Sequence, residues 1–296
     1  MLSASLLQQI QHIQLKAGHL ATNALAGEYS SVFKGSGMEF EKVREYAHGD
    51  DVRTIDWNVT ARMNDPFVKV YREERELTLM LLVDVSASMN FGTTGRFKQE
   101  IAAELAAVLA FLASKNNDKV GLLVFSDHVE RYLPPKKGRA HIWQIIRTVL
   151  DHESAGTGTR MAEVSQFLAG VCKRKTLCFC LSDFFGTEWQ RPLQAIRNRH
   201  DLVCVPVYDP WEQEVLPAGI LALEDAETQQ PLWLDTSHAG SRSQYAQVGA
   251  AHAASLQKHF RKNKTDFFFL STQDSVVRPL VRLMQERERR AKGGGR

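Results

Sequence analysis

The sequence predicts an α/β fold, a mostly parallel sheet with helices on both faces. Three observations predict it. Short continuous apolar runs, LTLMLLV at 77–83, VGLLVF at 120–125, TLCFCL at 176–181 and LVCVPV at 202–207, alternate with stretches of helical period. Uninterrupted apolar strands belong to sheets covered on both sides, where parallel sheets occur. A chain of 296 residues, 44% hydrophobic and 24% charged, can bury a core of the required size without disulfides or metal staples.

Taken in order, residues 3–26 place Leu6, Ile10, Ile13, Ala17, Leu20 and Ala24 at three- and four-residue steps, the period of an amphipathic helix, with Ser3 or Ser5 as its cap. Between 27 and 65 this rhythm is lost. Gly27, Gly35, Gly37 and Gly49 stand among many charges, a pattern of ordered loops with short strands. The first core strand, 77–83, ends at Asp84. A helix rich in Ala and Leu follows at 97–112, then the strand 120–125 and helices at 142–150 and 161–171. The strand 176–181 ends at Ser182-Asp183. A helix at 189–197 leads to the strand 202–207. Pro210, Pro217 and Pro231, with short apolar runs at 220–223 and 232–234, mark a β-rich excursion over about 208–240. A long helix at 244–261, a strand at 267–270 and a helix at 276–289 close the pattern. The expected organisation is an N-terminal helix-plus-loop extension (1–76), an α/β domain (77–286) and a basic, disordered tail (287–296).

Several function classes are excluded at this stage. The longest uninterrupted apolar run, 105–113, has nine residues, too short to cross a bilayer, so no membrane span is expected. No positive charge precedes Lys16 and no long apolar stretch lies near it, so no signal peptide is expected. Cys172, Cys178, Cys180 and Cys204 form no CxxC pair and read as reduced core cysteines, which suggests a cytoplasmic protein. The ten histidines contain no HExxH spacing, which argues against a zinc protease. The net charge is +3, and residues 278–296 hold seven basic side chains against two acidic ones. The excess therefore belongs to the last helix and tail, and a nucleic-acid partner is not expected.

In open α/β sheets, ligands bind beyond the carboxyl ends of the strands. Three polar segments should gather there: Asp84-Val85-Ser86-Ala87-Ser88, the stretch from Gly156 to Thr159, and Ser182-Asp183. All their side-chain donors are oxygens, which suit a hard ion such as Mg²⁺, with about six ligands at about 2.1 Å. In a turning loop, alternate residues aim at one point, so Ser86 and Ser88 can bind directly. Asp84 and Asp183 can hold metal-bound waters. An ion with few anionic ligands stays electropositive and accepts a carboxylate from another protein.

DVSAS at 84–88, Gly158-Thr159 and Ser182-Asp183 resemble the metal-ion-dependent adhesion site of von Willebrand factor A domains. The stretch GSGMEFEKVREYAHGDDVRTIDWNVTAR at 35–62 is similar to the signature of domain-of-unknown-function family 58. Asp209-Pro210, Asp235-Thr236-Ser237, Arg242 and Tyr245 also resemble that family. The resemblance implies a von Willebrand A or Rossmann-like domain with an N-terminal extension. It also implies a partnership with a MoxR-type AAA+ ATPase in complex assembly, maturation or stress handling. Carried over residue by residue, the metal ligands are Asp84, Ser86, Ser88, Thr159 and Asp183, with Thr157 as the alternative to Thr159. The ion implied is Mg²⁺, with Mn²⁺ or Ca²⁺ as alternatives.

The function expected is thus a non-enzymatic, metal-dependent protein-interaction module. Its partner would be the ATPase or a client that offers a carboxylate to the metal. A Mg²⁺-dependent phosphohydrolase is the alternative from another class. Such an enzyme typically needs a second Asp as general acid two residues after the first, and Ser86 stands at that position. A scaffold with a vestigial metal site is the third reading. Arg44, Asp50, Asp51, Arg53, Asp56 and Arg62 are expected to form a structural web of ion pairs, and Trp57 to be a packing residue, because nothing there resembles a nucleophile with its base.

Overall fold

The computed structural model describes residues 23–33, 37–63, 65–74, 76–152, 156, 158–186, 188–224 and 230–293. Most of the helix expected over 3–26, with its caps Ser3 and Ser5, lies outside these residues, as do Gly35 and Thr157. The chain divides into two compact units, Lys34–Glu76 and the combination of Met1–Phe33 with Leu77–Arg296. The sequence pattern alone places 1–76 in one extension. Instead, helix α1 (Asn23–Val32) belongs to the larger unit, because Leu25 and Tyr29, with Phe33 just past the helix end, recur at four-residue steps and enter its core.

In the smaller unit, β1 (Gly37–Glu45) pairs antiparallel with a strand that follows a 3-10 turn at Val52–Thr54 and helix α2 (Trp57–Met63). That second strand is β2 (Phe67–Glu74). Acidic side chains build the intervening turns. Asp51 accepts the Arg53 N–H at 3.0 Å, and Asp56 caps α2 by accepting the N–H groups of Asn58 at 3.0 Å and Val59 at 3.3 Å. Arg44 donates two 2.7 Å hydrogen bonds to Asp50. The structural web is present for these residues. Trp57 departs from expectation: it is 70% exposed, and Val52 and Met63 are exposed as well. The reason is local, since the seven-residue α2 buries none of its side chains.

The larger unit is built on a sheet whose strands, in chain order, are β3 (Thr78–Asp84), β4 (Lys119–Phe125), β5 (Val129–Lys136), β6 (Leu177–Ser182), β7 (Asp201–Tyr208), β10 (Asp266–Phe267) and β11 (Leu270–Ser271). A separate hairpin, β8 (Ile220–Glu224) with β9 (Pro231–Asp235), is the predicted excursion. Across the sheet the order is β10-β7-β6-β3-β4-β5, with β11 also beside β7, and every pairing is parallel except β4 with β5. Strand β5 escapes the sequence pattern because it is an edge strand. Its sequence, VERYLPPK, buries only Leu133 and carries two prolines, which a sheet tolerates at its edge.

The helices, in chain order, are α3 (Lys98–Lys115), α4 (Arg139–Leu150), α5 (Met161–Val171), α6 (Gln190–Arg199), α7 (Pro210–Gln213), α8 (Ala239–Lys262) and α9 (Val277–Gly293). Strand β3 shows why its apolar run is continuous. Leu79, Leu81 and Val83 pack on one face with α1, α3, α4 and α9. Met80 and Leu82 pack on the other with α5, α6 and α8. Helix α3 lies deep in the first layer and is buried nearly all round, hence its Ala- and Leu-rich sequence. The tail also departs from expectation. Helix α9 continues through Gly293, and Arg287 anchors it with two 2.8 Å hydrogen bonds to Asp201 and a 2.6 Å ion pair to Asp266. Arg290 reaches Asp266 at 2.6 Å. With Lys292 2.7 Å from Glu288, three of the basic side chains expected in a solvated tail are paired.

Candidate functional site

From β3 the chain moves to β4 on one side, and it later returns to place β6 on the other. The crevice beyond the carboxyl ends of β3 and β6 is thus the point where strand order reverses, the usual ligand position in such sheets. All five residues singled out from the sequence come together there. Asp84 ends β3 and is fully buried; its Oδ1 accepts the Ser86 N–H at 2.9 Å. The Ser86 and Ser88 hydroxyl oxygens lie 3.1 Å apart. Thr159, in the loop before α5, donates to Asp84 Oδ2 at 3.2 Å. Asp183, just past β6, accepts the Phe185 N–H at 3.2 Å, and the Ser88 side chain helps hold its carboxyl below the ordinary value.

The loop that delivers Thr159 approaches the end of β4 closely. A Cβ on Gly156 would stand 2.3 Å from Asp127 Oδ1 and 2.4 Å from Ser126 Oγ, so a larger residue here would displace those two side chains. On the opposite side, Phe184 adopts a left-handed backbone, φ 54°, with its ring packed in an edge contact against Trp189 and Phe260. Such a conformation costs a bulky residue about 1–3 kcal/mol, and here core packing holds it. It turns the chain sharply and leaves Asp183 facing Ser88.

Two residues outside the predicted set complete the site. Ser182 donates to Asp84 Oδ2 at 2.6 Å and accepts the Phe184 N–H at 3.0 Å. Lys98, the first residue of α3, is fully buried and donates to Asp183 Oδ2 at 2.8 Å and Glu212 Oε1 at 2.6 Å. Nothing in its own sequence neighbourhood marks Lys98 as buried. Its place at the start of the helix after β3 is the available signal, since such a helix begins over the carboxyl edge of the sheet.

The electrostatics divide the two carboxylates. Burial, reinforced by the charge of Asp183, pushes the Asp84 pKa up to about 6. Burial also works against ionised Asp183, but Lys98 outweighs it and holds that carboxyl below its ordinary value. Lys98 itself loses by burial, yet the two carboxylates hold its pKa above the ordinary one. Among the described residues, no three His, Cys, Asp or Glu side chains converge as a metal cage. The donor set is instead three hydroxyls with two carboxylates, all oxygen, which fits a hard divalent cation bound mainly by neutral ligands. Beside it opens a cleft of about 400 Å³ lined by Asp127, Gly158, Thr159, Ser182 and Phe185 among others, wide enough for a side chain of another molecule.

Residues 42–255 match the model of the family described as protein of unknown function DUF58. The chain belongs to the DUF58 family. An uncharacterised protein of Mycobacterium tuberculosis is 32% identical to this DUF58 chain over 288 residues, covering 96% of this chain and 90% of that one. Among solved structures, an aerotolerance-related membrane protein from Bacteroides fragilis is 14% identical, covers 71% of this chain and 99% of that one, and has a TM-score of 0.49. The SpRpn10 VWA domain is 8% identical, covers 70% and 94%, and has a TM-score of 0.40. The α/β architecture of this DUF58 member rests on its own strand order, which has the mostly parallel, helix-flanked form expected of a von Willebrand A-like domain. The cytoplasmic placement expected from the cysteines is corrected: the similar Bacteroides fragilis structure is that of a membrane protein, so the chain's likeness does not lead to the cytoplasm. Among the described residues no helix is long and apolar enough to cross a membrane.

Proposed function

We propose that this DUF58 protein is a non-enzymatic, metal-dependent protein-interaction module. The observation that carries the reading is the convergence of Asp84, Ser86, Ser88, Thr159 and Asp183, all offering side-chain oxygens, behind an open cleft that Thr159 lines. Ser86, Ser88 and Thr159 would hold the ion through their hydroxyls. Asp84 and Asp183 would orient its waters. A bound Mg²⁺ or Mn²⁺ would supply a concentrated positive charge with a position open to a partner's carboxylate. The partner proposed is a MoxR-type AAA+ ATPase or a client of it, which the family resemblance suggests.

The test is capture of the ATPase, or of a carboxylate-bearing client, by the full chain and by the variant Asp84→Ala/Ser86→Ala. Capture should need Mg²⁺, should fall when the ion is chelated, and should fall equally in the variant. In parallel, Mn²⁺ should raise the melting temperature of the wild type in proportion to the logarithm of its concentration above Kd, because it binds only the folded state. Capture that is unchanged by chelator would remove the metal from the reading.

A further inference from the structure

The site holds a cation of its own. Lys98 lies between Asp183 and Glu212, at 2.8 Å and 2.6 Å, with its ammonium 5.6 Å from the centroid of the Phe185 ring. It is fully buried. We propose that Lys98 competes with a divalent ion for Asp183 and passes the outcome of that competition to Glu212 and α7. The inference rests on the metal reading above and adds a residue that sets the affinity and transmits the state of the site.

Competition follows from the bonding of Asp183. One of its oxygens accepts from Lys98, and the other accepts the Phe185 N–H. A second cation drawing on the same carboxylate meets the ammonium in a medium of low dielectric, where like charges repel strongly. As Asp183 turns toward a metal-bound water, the remaining partner of Lys98 is Glu212. The pair Lys98–Glu212 then tightens as the pair Lys98–Asp183 loosens.

Transmission follows from what Glu212 holds. Its second oxygen accepts the Asp209 N–H at 2.8 Å, closing the first turn of α7. Asp209 is itself buried; it accepts the Thr93 N–H at 3.0 Å and the Thr272 hydroxyl at 2.7 Å. Helix α8 seats directly on this turn, since a Cβ on Gly249 would lie 2.5 Å from the Glu212 carbonyl oxygen. A shift of Lys98 therefore acts on a turn fixed at four points, and that turn is where the chain leaves the sheet for the β8–β9 excursion.

The experiment titrates Mn²⁺ into the full-length wild type, Lys98→Met and Lys98→Met/Glu212→Gln, by calorimetry, with hydrogen exchange followed at residues 209–213. The single variant leaves buried Asp183 and partly buried Glu212 without their cation and is at risk of misfolding. The double variant removes one charge of each sign and keeps the measurement available. Both are expected to bind Mn²⁺ about tenfold tighter than the wild type or more. Mn²⁺ should alter exchange at 209–213 in the wild type and leave it unaltered in the double variant. Equal or weaker binding by the folded double variant overturns the competition while the metal site stands. Exchange that responds alike in both proteins overturns the transmission. Absence of Mn²⁺ binding in every protein overturns the metal reading and this inference with it.

Discussion

Asp84 is a carboxylate placed where ionisation is costly. Its side chain is fully buried, and its neighbours in the fold are three hydrogen-bond donors and the charge of Asp183. The folded pKa of about 6 lies above the ordinary 3.8, so the folded state binds the proton more tightly than the unfolded one. The sign follows: this group costs nothing below pH 3.8, and its penalty grows with rising pH until it is complete above about pH 6. Two pKa units correspond to about 3 kcal/mol. Asp84→Asn should therefore stabilise the metal-free protein at pH 7.5 by an amount approaching about 3 kcal/mol. It should also flatten the stability profile between pH 4 and about 6, as read by urea unfolding at several pH values. With saturating Mn²⁺ the proposed metal site predicts a reversed ranking, because an amide at this position would hold the ion's waters less well than the Asp84 carboxylate. A variant less stable than the wild type at pH 7.5 without metal would show that the hydrogen bonds of Asp84 outweigh its burial.

At the scale of elements, what places the site is the fit of helices and loops around the ends of β3 and β6. The contact of α8 with α7 tests this fit at one atom. Glycine inside a helix ordinarily costs about 1 kcal/mol relative to alanine, so Gly249→Ala would stabilise if the space were open. Here the added Cβ would meet backbone at 2.5 Å and 3.0 Å, at Glu212 and Gln213. Overpacking of that kind costs about 1–3 kcal/mol, and backbone cannot swing aside like a side chain. Gly249→Ala is expected to lower the melting temperature, and Gly170→Ala, which meets nothing within 4 Å on α5, to leave it unchanged or raise it. The same scale shows what the sequence could disclose. β3, β4, β6 and β7 are legible because burial on both faces forces unbroken apolar runs. The DVSAS loop is legible because its donors alternate beside a strand end. β5 is not, because an edge strand is free to carry charges and prolines. Lys98 is not, because a lysine at the head of a helix looks solvated until its two carboxylate partners, 85 and 114 residues away, are brought to it. Ser182 was visible as a polar residue at a strand end, but its bond to Asp84 depends on β3 and β6 being neighbours.

For the whole molecule, the C-terminal helix decides whether the sheet is covered. A parallel sheet needs both faces buried. On the face of Leu79, Leu81 and Val83 part of that cover comes from α9, through Leu280, Leu283 and Met284, and part from α1 and the residue after it, through Leu25, Tyr29 and Phe33. Charge adds direction to this apolar contact. Arg287 is 11% exposed in its side chain, packs 4.7 Å from the centroid of Phe33, and pairs with Asp201 and Asp266 at the amino ends of β7 and β10. The basic excess that composition assigns to the C-terminal segment is therefore partly a fastening, which a count of charges cannot distinguish from a solvated tail. Breaking these partly exposed ion pairs costs about 1 kcal/mol, and full burial of each Leu or Met contributes about 1.5–3 kcal/mol more. Together these approach the whole stability of an ordinary domain. Deletion of residues 277–296 is accordingly expected to abolish cooperative thermal unfolding and to expose apolar surface that binds a hydrophobic dye, although every predicted metal ligand is retained. Arg287→Met, which keeps the packing volume and removes the charge, should unfold cooperatively at a lower temperature and still bind Mn²⁺ like the wild type. A deletion protein that melts cooperatively near the wild-type temperature would show that α9 is dispensable and that the sheet is held by α1, α3 and α4 alone.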